Sequence, residues 1–348
     1  MTAPMRPKIR LQQPGELLAA LPYLLGFRPH NSLVLVLHNG IERKTLGMVL
    51  RADLPTRRHY REFTQAMLRP VVGNRATGVS VIVVGGCTSR MAKPPSALPH
   101  RRLIEVMSSA LAEHDVPVLH ALWAPSTDRN VPWHCYTDPS CRGAVADAAN
   151  TAIIAATTAA GIVTYASREE LAEALAFTDP EAIRRRAELL DRASERAGQD
   201  PGLSQEESLA TVTDAINAMR TNSFTVTDET VTRLALALSD HLVRDACLMP
   251  PDADDAATAE TLWTELTRQT PTPERAEPAC LLAMAAYLRG DGALAGMALQ
   301  LARDADPGHQ LASLLGCALQ SGLPPGRLTE MVRGASERAR SLLDGGRQ

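Results

Sequence analysis

The pattern of apolar and polar positions changes character about half-way along the 348-residue chain. In the first half, short apolar runs alternate with segments of helical period, which is typical of an α/β layer. Asn39-Gly40 predicts a turn between the first two strands. This half is predicted to be an α/β domain with a mixed sheet over residues 1–166. Its predicted strands are Ser32–His38, Thr45–Ala52, Gly78–Val84 and Val116–Trp123, and its predicted helices are Leu11–Leu25, Arg57–Val71, His100–His114 and Ala144–Ala160.

From Ser167 onward the apolar period is helical throughout. Ser167 with Glu170 and Ser204 with Glu207 both fit capping boxes, and Asp179-Pro180 supplies an N-cap followed by proline at the first helical position. Residues 167–348 are therefore predicted to form an all-α domain. Its first helices are predicted near residues 168–176, 180–197, 205–220, 228–248 and 256–268.

The last hundred residues carry a repeat-like pattern. Small residues recur where two helices would cross, and a proline ends the second helix, as in one tetratricopeptide unit. Residues 310–322 and 327–342 predict another helical hairpin, which would stack on the first. Such tetratricopeptide-like units present grooves to peptides, whereas a plain helical bundle is the alternative. The residues that carry the pattern are Ala285-Ala286-Tyr287, Gly290-Asp291, Ala295, Leu299, Ala302 and Pro307.

Composition narrows the classes of function. The net charge of −3 lacks the basic excess of a chain that neutralises many phosphates, so general nucleic-acid binding is not expected. Two basic runs, His100-Arg101-Arg102 and Arg184–Arg186, are interpreted as solvated helix faces, with a local arginine patch as the alternative. Only three of the basic residues are lysines, and alanine is abundant, which indicates a GC-rich bacterial genome.

Cysteine use and hydropathy bear on location. Six cysteines without a paired framework indicate a reducing compartment, and we expect the cytoplasm. The uncharged run Ala148–Ser167 has about the length of a membrane span, but its asparagine and threonines favour a buried helix followed by a strand. No membrane association is therefore expected.

One loop concentrates the reactive side chains. Within Trp123–Cys141 lie Trp133, His134, Cys135, Asp138 and Cys141. Zinc would need about four ligands, so these residues would require a further partner. His134 and Cys135 would point to opposite faces of a strand, and a Cys-x5-Cys spacing is unlike a zinc knuckle. Structural packing, a metal site and a reactive thiol all remain alternatives.

Carboxylates at the predicted sheet edge offer a second candidate site. Asp53 ends a strand, where α/β sheets often carry function, although it also fits a plain strand exit. A ribonuclease-H-like sheet would need Asp53, Glu105 and Asp138 to converge on a metal. Gly85-Gly86 follows a strand, but no dinucleotide fingerprint or Walker lysine accompanies it, so nucleotide binding there is not predicted.

Several segments together resemble the uncharacterised bacterial domain-of-unknown-function 4192 (DUF4192) family. The resemblance extends over nearly the whole chain. Members usually carry a doubled cysteine and prolines at the end of the loop, whereas here Arg142-Gly143 follows Cys141, which argues against a metal site. The resemblance implies a two-part layout and no catalytic roles. The matching segments are Pro14–Phe27, Asn31–Val34, Arg51–Pro55, Cys135–Cys141, Ser167–Leu171, Tyr287–Ala295 and Gly322–Pro325.

Two classes of function follow. The first is a non-enzymatic interaction or regulatory protein that holds a protein partner with its helical C-terminal domain. The second is a hydrolase that uses a metal or an activated thiol near Trp133–Cys141. The sequence leaves the choice between enzyme and non-enzyme open, and it names no substrate, partner or oligomeric state.

Overall fold

A computed structural model describes residues 13–39, 45–86, 97–148, 164–196, 203–250 and 253–345. The chain separates into two compact units. The described residues of the α/β unit lie within 13–171 and 320–324, and those of the helical unit lie within 172–319 and 325–345. The division predicted after Ala166 stays a prediction.

The α/β unit contains a six-stranded mixed sheet with the strand order β2-β1-β3-β4-β5-β6. Strand β3 is parallel to β4, and the other neighbouring strands are antiparallel. The four strands predicted from apolar runs are confirmed, and β5 and β6 are additional. The strands are β1 Ser32–Asn39, β2 Thr45–Asp53, β3 Gly78–Val84, β4 Val118–Ala124, β5 Pro132–Cys135 and β6 Arg142–Ala144.

Successive residues of a strand point to opposite faces of the sheet, and in the central strands both sets are apolar. Helices therefore cover both faces of the sheet. Leu33, Leu35 and Leu37 of β1 pack into one core with α2 and α3. Helix α1 packs against β2 and β4, and its Leu18 and Leu21 are fully buried. The helices of this unit are α1 Pro14–Leu25, a 3-10 turn Arg57–His59, α2 Tyr60–Gly73 and α3 Arg101–Ala112.

The helix predicted over Ala144–Ala160 is wrong at its start. Arg142–Ala144 form strand β6 instead, and the Val145 amide then donates to the Val131 carbonyl at 2.8 Å. Pairing with β5 therefore overrides the local helical pattern. Residues 149–163, and Gly40 of the predicted Asn39-Gly40 turn, lie outside the described residues.

Helices follow one another from Ser167 to the end of the described chain, as predicted. The single helix predicted near 228–248 is two helices, because Asp240 caps the second by accepting hydrogen bonds from the Leu242 and Val243 amides. The helices are α4 Arg168–Ala174, α5 Pro180–Arg196, α6 Gln205–Arg220, α7 Asp228–Ser239, α8 His241–Cys247, α9 Ala253–Gln269, α10 Ala276–Arg289, α11 Gly292–Ala305, α12 Gln310–Gln320 and α13 Pro325–Gly345. Over the described ranges, none of the helices is apolar over a length that would cross a membrane.

The packing of the C-terminal helices agrees with only part of the repeat-like pattern. Helices α10 and α11 pack closely against each other as the predicted hairpin. Helix α13 packs mainly on α8 and α10, and the Ser336 hydroxyl and the Arg340 guanidinium both donate to the Ala246 carbonyl of α8. This packing does not establish a stacked tetratricopeptide array.

The arginine run Arg184–Arg186 is not uniformly solvated, contrary to the prediction. The side chain of Arg186 is only 5% exposed, and it forms an ion pair with Asp228 at 2.8 Å. It also donates to the backbone carbonyl and the side-chain oxygen of Gln269. Arg185 binds the same Asp228 carboxylate from the solvent side. One member of the run therefore anchors α5 to α7 and to the end of α9.

Candidate functional site

An open cavity of about 1010 Å³ lies at one edge of the sheet in the α/β unit. Strands β2, β3 and β4 run in the same direction, so their carboxyl ends meet at this edge. In open α/β sheets, ligands bind outside the carboxyl ends of the strands. The cavity therefore occupies the position where this architecture places a ligand. Residues that line it include Asn31, Leu54, Arg57, Tyr60, Gly86 and His100.

The exit of β3 has a backbone that only glycine adopts easily. Gly85 and Gly86 both have positive φ, 80° and 78°. The Gly86 amide donates to Asn31 Oδ1 at 2.9 Å, and a Cβ on Gly86 would lie 2.9 Å from His100 Cδ2. Asn31 and His100 also have positive φ, at 42° and 54°. Residues other than glycine are uncommon at positive φ, and those that adopt it cluster at functional sites.

Two helical segments begin at the cavity. The 3-10 turn that precedes α2 starts at Arg57, and α3 starts at Arg101. His100 is the N-cap of α3 and makes no side-chain cap hydrogen bond. The first turn of an α-helix has amide groups without intrahelical acceptors and a partial positive charge. The start of α3 therefore favours an anion in the cavity.

His100 is an uncharged lining residue at neutral pH. Its Nδ1 lies 3.1 Å from the Tyr60 hydroxyl. Burial, and then the positive charge of Arg57, lower the pKa of His100 below its ordinary value of 6.5. An anion beside this ring would favour the protonated form.

The charges that line the cavity are mainly positive. Arg57, Arg101 and Arg102 contribute guanidinium groups, and Glu105 contributes a carboxylate. Glu105 is already paired with Arg102 at 3.1 Å. Arg57 makes no ion pair with any residue that the structure describes. The electrostatics of the cavity therefore suit a negatively charged ligand.

The predicted functional loop forms the β-hairpin of β5 and β6, the last two strands in the order of the sheet. Trp133 is 7% exposed, it lies opposite Gly143, and its indole N–H donates to the Ala144 carbonyl at 3.1 Å. A Cβ on Gly143 would lie 2.9 Å from the indole ring, so glycine leaves space for it. Trp133 therefore packs as a structural residue of the hairpin.

His134 lies on the side of the sheet that carries Trp123. The two rings stack with centroids 5.9 Å apart. Burial, and then the charge of Arg142, lower the pKa of His134. Its Nε2 is buried and has no hydrogen-bond partner among the described residues. Because Cys135 follows on the same strand, its side chain points to the opposite face.

Cys135, Asp138 and Cys141 shape the turn of the hairpin. The Cys135 amide donates to the Cys141 carbonyl at 3.0 Å, and the Cys135 sulfur lies 3.1 Å from the Thr137 hydroxyl oxygen. Asp138 accepts hydrogen bonds from the Ser140 hydroxyl and amide, which hold its pKa below the ordinary value. The carboxylate of Asp138 therefore closes the turn.

Tyr136 connects this hairpin to the cavity. Its hydroxyl donates to the Pro99 carbonyl at 2.5 Å, and its own carbonyl accepts a hydrogen bond from Arg101 at 3.0 Å. Burial raises the pKa of the Tyr136 phenol. Pro99 and Arg101 both line the cavity. The hairpin thus supports the start of α3, although its cysteines are not among the cavity-lining residues.

The candidate carboxylates do not converge. Asp53 is 82% exposed and pairs with Arg51 at 2.6 Å, while its neighbour Leu54 lines the cavity. Within the described part of the chain, no three His, Cys, Asp or Glu side chains lie close enough to hold a metal ion. The ribonuclease-H-like arrangement of Asp53, Glu105 and Asp138 is therefore wrong for these residues. The geometry supplies no support for zinc at His134, Cys135 and Cys141.

Comparison with known proteins identifies the family. The family model described as a domain of unknown function, DUF4192, matches residues 14–326. The chain belongs to the DUF4192 family. The match confirms the resemblance drawn from the N-terminal and loop motifs, and it includes the cavity and the hairpin of this DUF4192 protein. Searches of curated proteins and of solved structures found no match.

Sequence reasoning missed most of the cavity. The sequence does not predict Tyr60 and His100 as site residues, and Gly85-Gly86 carries no nucleotide motif. A usable signal is present, because Leu54 and Gly86 follow strands and Arg57 and Arg101 begin helical segments. Only the parallel direction of β2, β3 and β4 shows that these positions share one edge.

Proposed function

We propose that this DUF4192 protein is a regulatory protein that binds a small anionic ligand in the sheet-edge cavity. The observation that carries the proposal is the cavity itself, at the carboxyl ends of three strands and lined by three arginines against one glutamate. The start of α3, whose N-cap His100 makes no side-chain cap hydrogen bond, lies at the same cavity, and a helix start favours an anion. The ligand class that fits is a phosphate or carboxylate compound of small size.

Calorimetric titration of the full chain with inorganic pyrophosphate tests the proposal. Pyrophosphate should bind saturably at constant ionic strength, because arginines and helix amides recognise its oxygens. Chloride at the same ionic strength should give no saturable heat. A titration with no saturable heat for pyrophosphate, inorganic phosphate or citrate would contradict the proposal.

A protein partner for the helical unit is a second candidate function. It is favoured by three large apolar side chains that are about two-thirds exposed, Leu314 of α12 and Met331 and Leu342 of α13. Exposed apolar surface is typical of binding faces when it is contiguous.

The partner candidate has a matched test. Crosslinked capture from a lysate of the source organism should recover a defined protein with the native chain and lose it with Leu314→Ser, Met331→Ser and Leu342→Ser combined. A triple variant with Glu188, Asp191 and Glu195 changed to Ser provides a control on another exposed face of the helical unit. Equal recovery by all three proteins would exclude these helices as the binding face.

The hydrolase alternative receives less support. Its metal-dependent form lacks a convergent ligand set in the described residues. Its thiol-dependent form would need a base beside Cys135, but His134 points to the other face of the strand.

A further inference from the structure

Cys135 and Cys141 occupy directly opposed positions of the β5–β6 hairpin. The ladder pairs Pro132 with Ala144, Trp133 with Gly143 and His134 with Arg142. One further step of the same register places Cys135 opposite Cys141, and the Cys135 amide donates to the Cys141 carbonyl at 3.0 Å.

Directly opposed residues of an antiparallel pair share one face of the sheet. Their Cα atoms lie about 4.5 to 5.5 Å apart, which is within the range that disulfides span. The hairpin therefore holds the two cysteines at a separation that a disulfide can bridge with little backbone movement. Both are free thiols in this structure.

We propose that Cys135 and Cys141 form a reversible dithiol–disulfide pair that reacts with hydroperoxides. Cys135 is the attacking sulfur and Cys141 the resolving one. Hydrogen peroxide is the smallest reagent of this class, which suits a Cys135 that is 9% exposed.

The environment of each sulfur supports these separate roles. Burial would raise the pKa of Cys135, but hydrogen bonds from Thr137, the Asp138 amide and the Cys141 thiol outweigh it and lower the pKa. Burial and the neighbouring Cys135 raise the pKa of Cys141. The thiolate is the nucleophile in such reactions, so the first attack falls to Cys135.

The reaction balances in two steps. The Cys135 thiolate attacks one peroxide oxygen, the O–O bond breaks, and the released hydroxide takes a proton to become water. The resulting Cys135 sulfenic acid is then attacked by the Cys141 sulfur, which loses its proton as the S–O bond breaks and a second water leaves. Two thiols and one peroxide give one disulfide and two waters, and an external thiol reverses the change.

The test uses the full chain, reduced, treated with hydrogen peroxide and then alkylated with N-ethylmaleimide. Trypsin cuts after Arg129 and Arg142, so both cysteines fall on the single peptide 130–142. The expected product is this peptide without alkylation and about 2 Da lighter than the dithiol form, restored by dithiothreitol. The buried Cys247, whose pKa is raised to about 12, should stay reduced under the same treatment.

Variants separate the two roles. Cys141→Ser should leave Cys135 as a sulfenic acid that dimedone traps, and Cys135→Ser should leave Cys141 unmodified. The exposed Cys317 serves as the internal reference for peroxide treatment. If Cys317 is oxidised while peptide 130–142 of the native chain still carries two maleimides, the proposal is overturned. A disulfide from Cys135 to any cysteine other than Cys141 would also overturn it. The native-chain measurement decides the matter even where a variant fails to fold.

Discussion

Arg186→Ala should lower the free energy of unfolding of the helical unit by about 3 kcal/mol, because it removes a buried guanidinium that donates to a part-buried carboxylate and to two buried oxygens. The Arg186 side chain is 5% exposed and donates to Asp228 and to both oxygens of Gln269. Without it, the buried Gln269 oxygens lose a charged donor, and water is not free to replace it. Urea unfolding followed by circular dichroism measures the change.

Arg185→Ala is the matched control for this prediction. Arg185 binds the same Asp228 carboxylate at 2.8 Å, but its side chain is 53% exposed. Solvent screens an exposed ion pair, which therefore contributes little to stability, so this variant should unfold nearly as the native protein does. Equal losses in the two variants would show that burial of Arg186 does not determine the stability of this network.

Gly86→Ala should destabilise the α/β unit by about 2 kcal/mol, because alanine at positive φ is strained and its Cβ meets the His100 ring. The φ of Gly86 is 78°, and the added carbon would lie 2.9 Å from His100 Cδ2. His100 is held in turn by the Tyr60 hydroxyl, so the ring cannot move without loss of that contact. In a Trp263→Phe background, the fluorescence of Trp123 and Trp133 reports unfolding of this unit.

Gly326→Ala is the corresponding control. A Cβ at Gly326 meets nothing within 4 Å, and the residue lies in helix α13. The Gly326→Ala substitution should change the free energy of unfolding by less than about 1 kcal/mol. Because alanine has the higher helix propensity, the expected direction is an increase. Should Gly86→Ala prove as harmless as Gly326→Ala, the backbone at the exit of β3 would not be constrained as described.

The sequence was sufficient for the elements that depend on local pattern. The apolar runs of β1 and β3 predict strands because every side chain in them is buried. The capping box Ser204 with Glu207 predicts the start of α6, and the structure contains both of its hydrogen bonds. These signals lie within a few residues of the elements that they define.

The features that were missed depend on distant partners. Strands β5 and β6 have only four and three residues and are defined by pairing with each other and with β4. Arg186 is buried by partners that are 42 and 83 residues away in the chain. The cavity likewise joins strand exits and helix starts that become neighbours only through the sheet topology.

Titration of two single variants with pyrophosphate tests the central claim most directly. Arg57 lines the cavity, whereas the adjacent Arg58 is exposed and does not line it. Arg57→Gln and Arg58→Gln change the net charge equally, so they separate a specific contact from the overall field. Arg57→Gln should weaken pyrophosphate binding about tenfold, the loss of one charge-assisted contact, while Arg58→Gln should bind as the native chain does. Equal affinity in the two variants would contradict an anion site in this cavity.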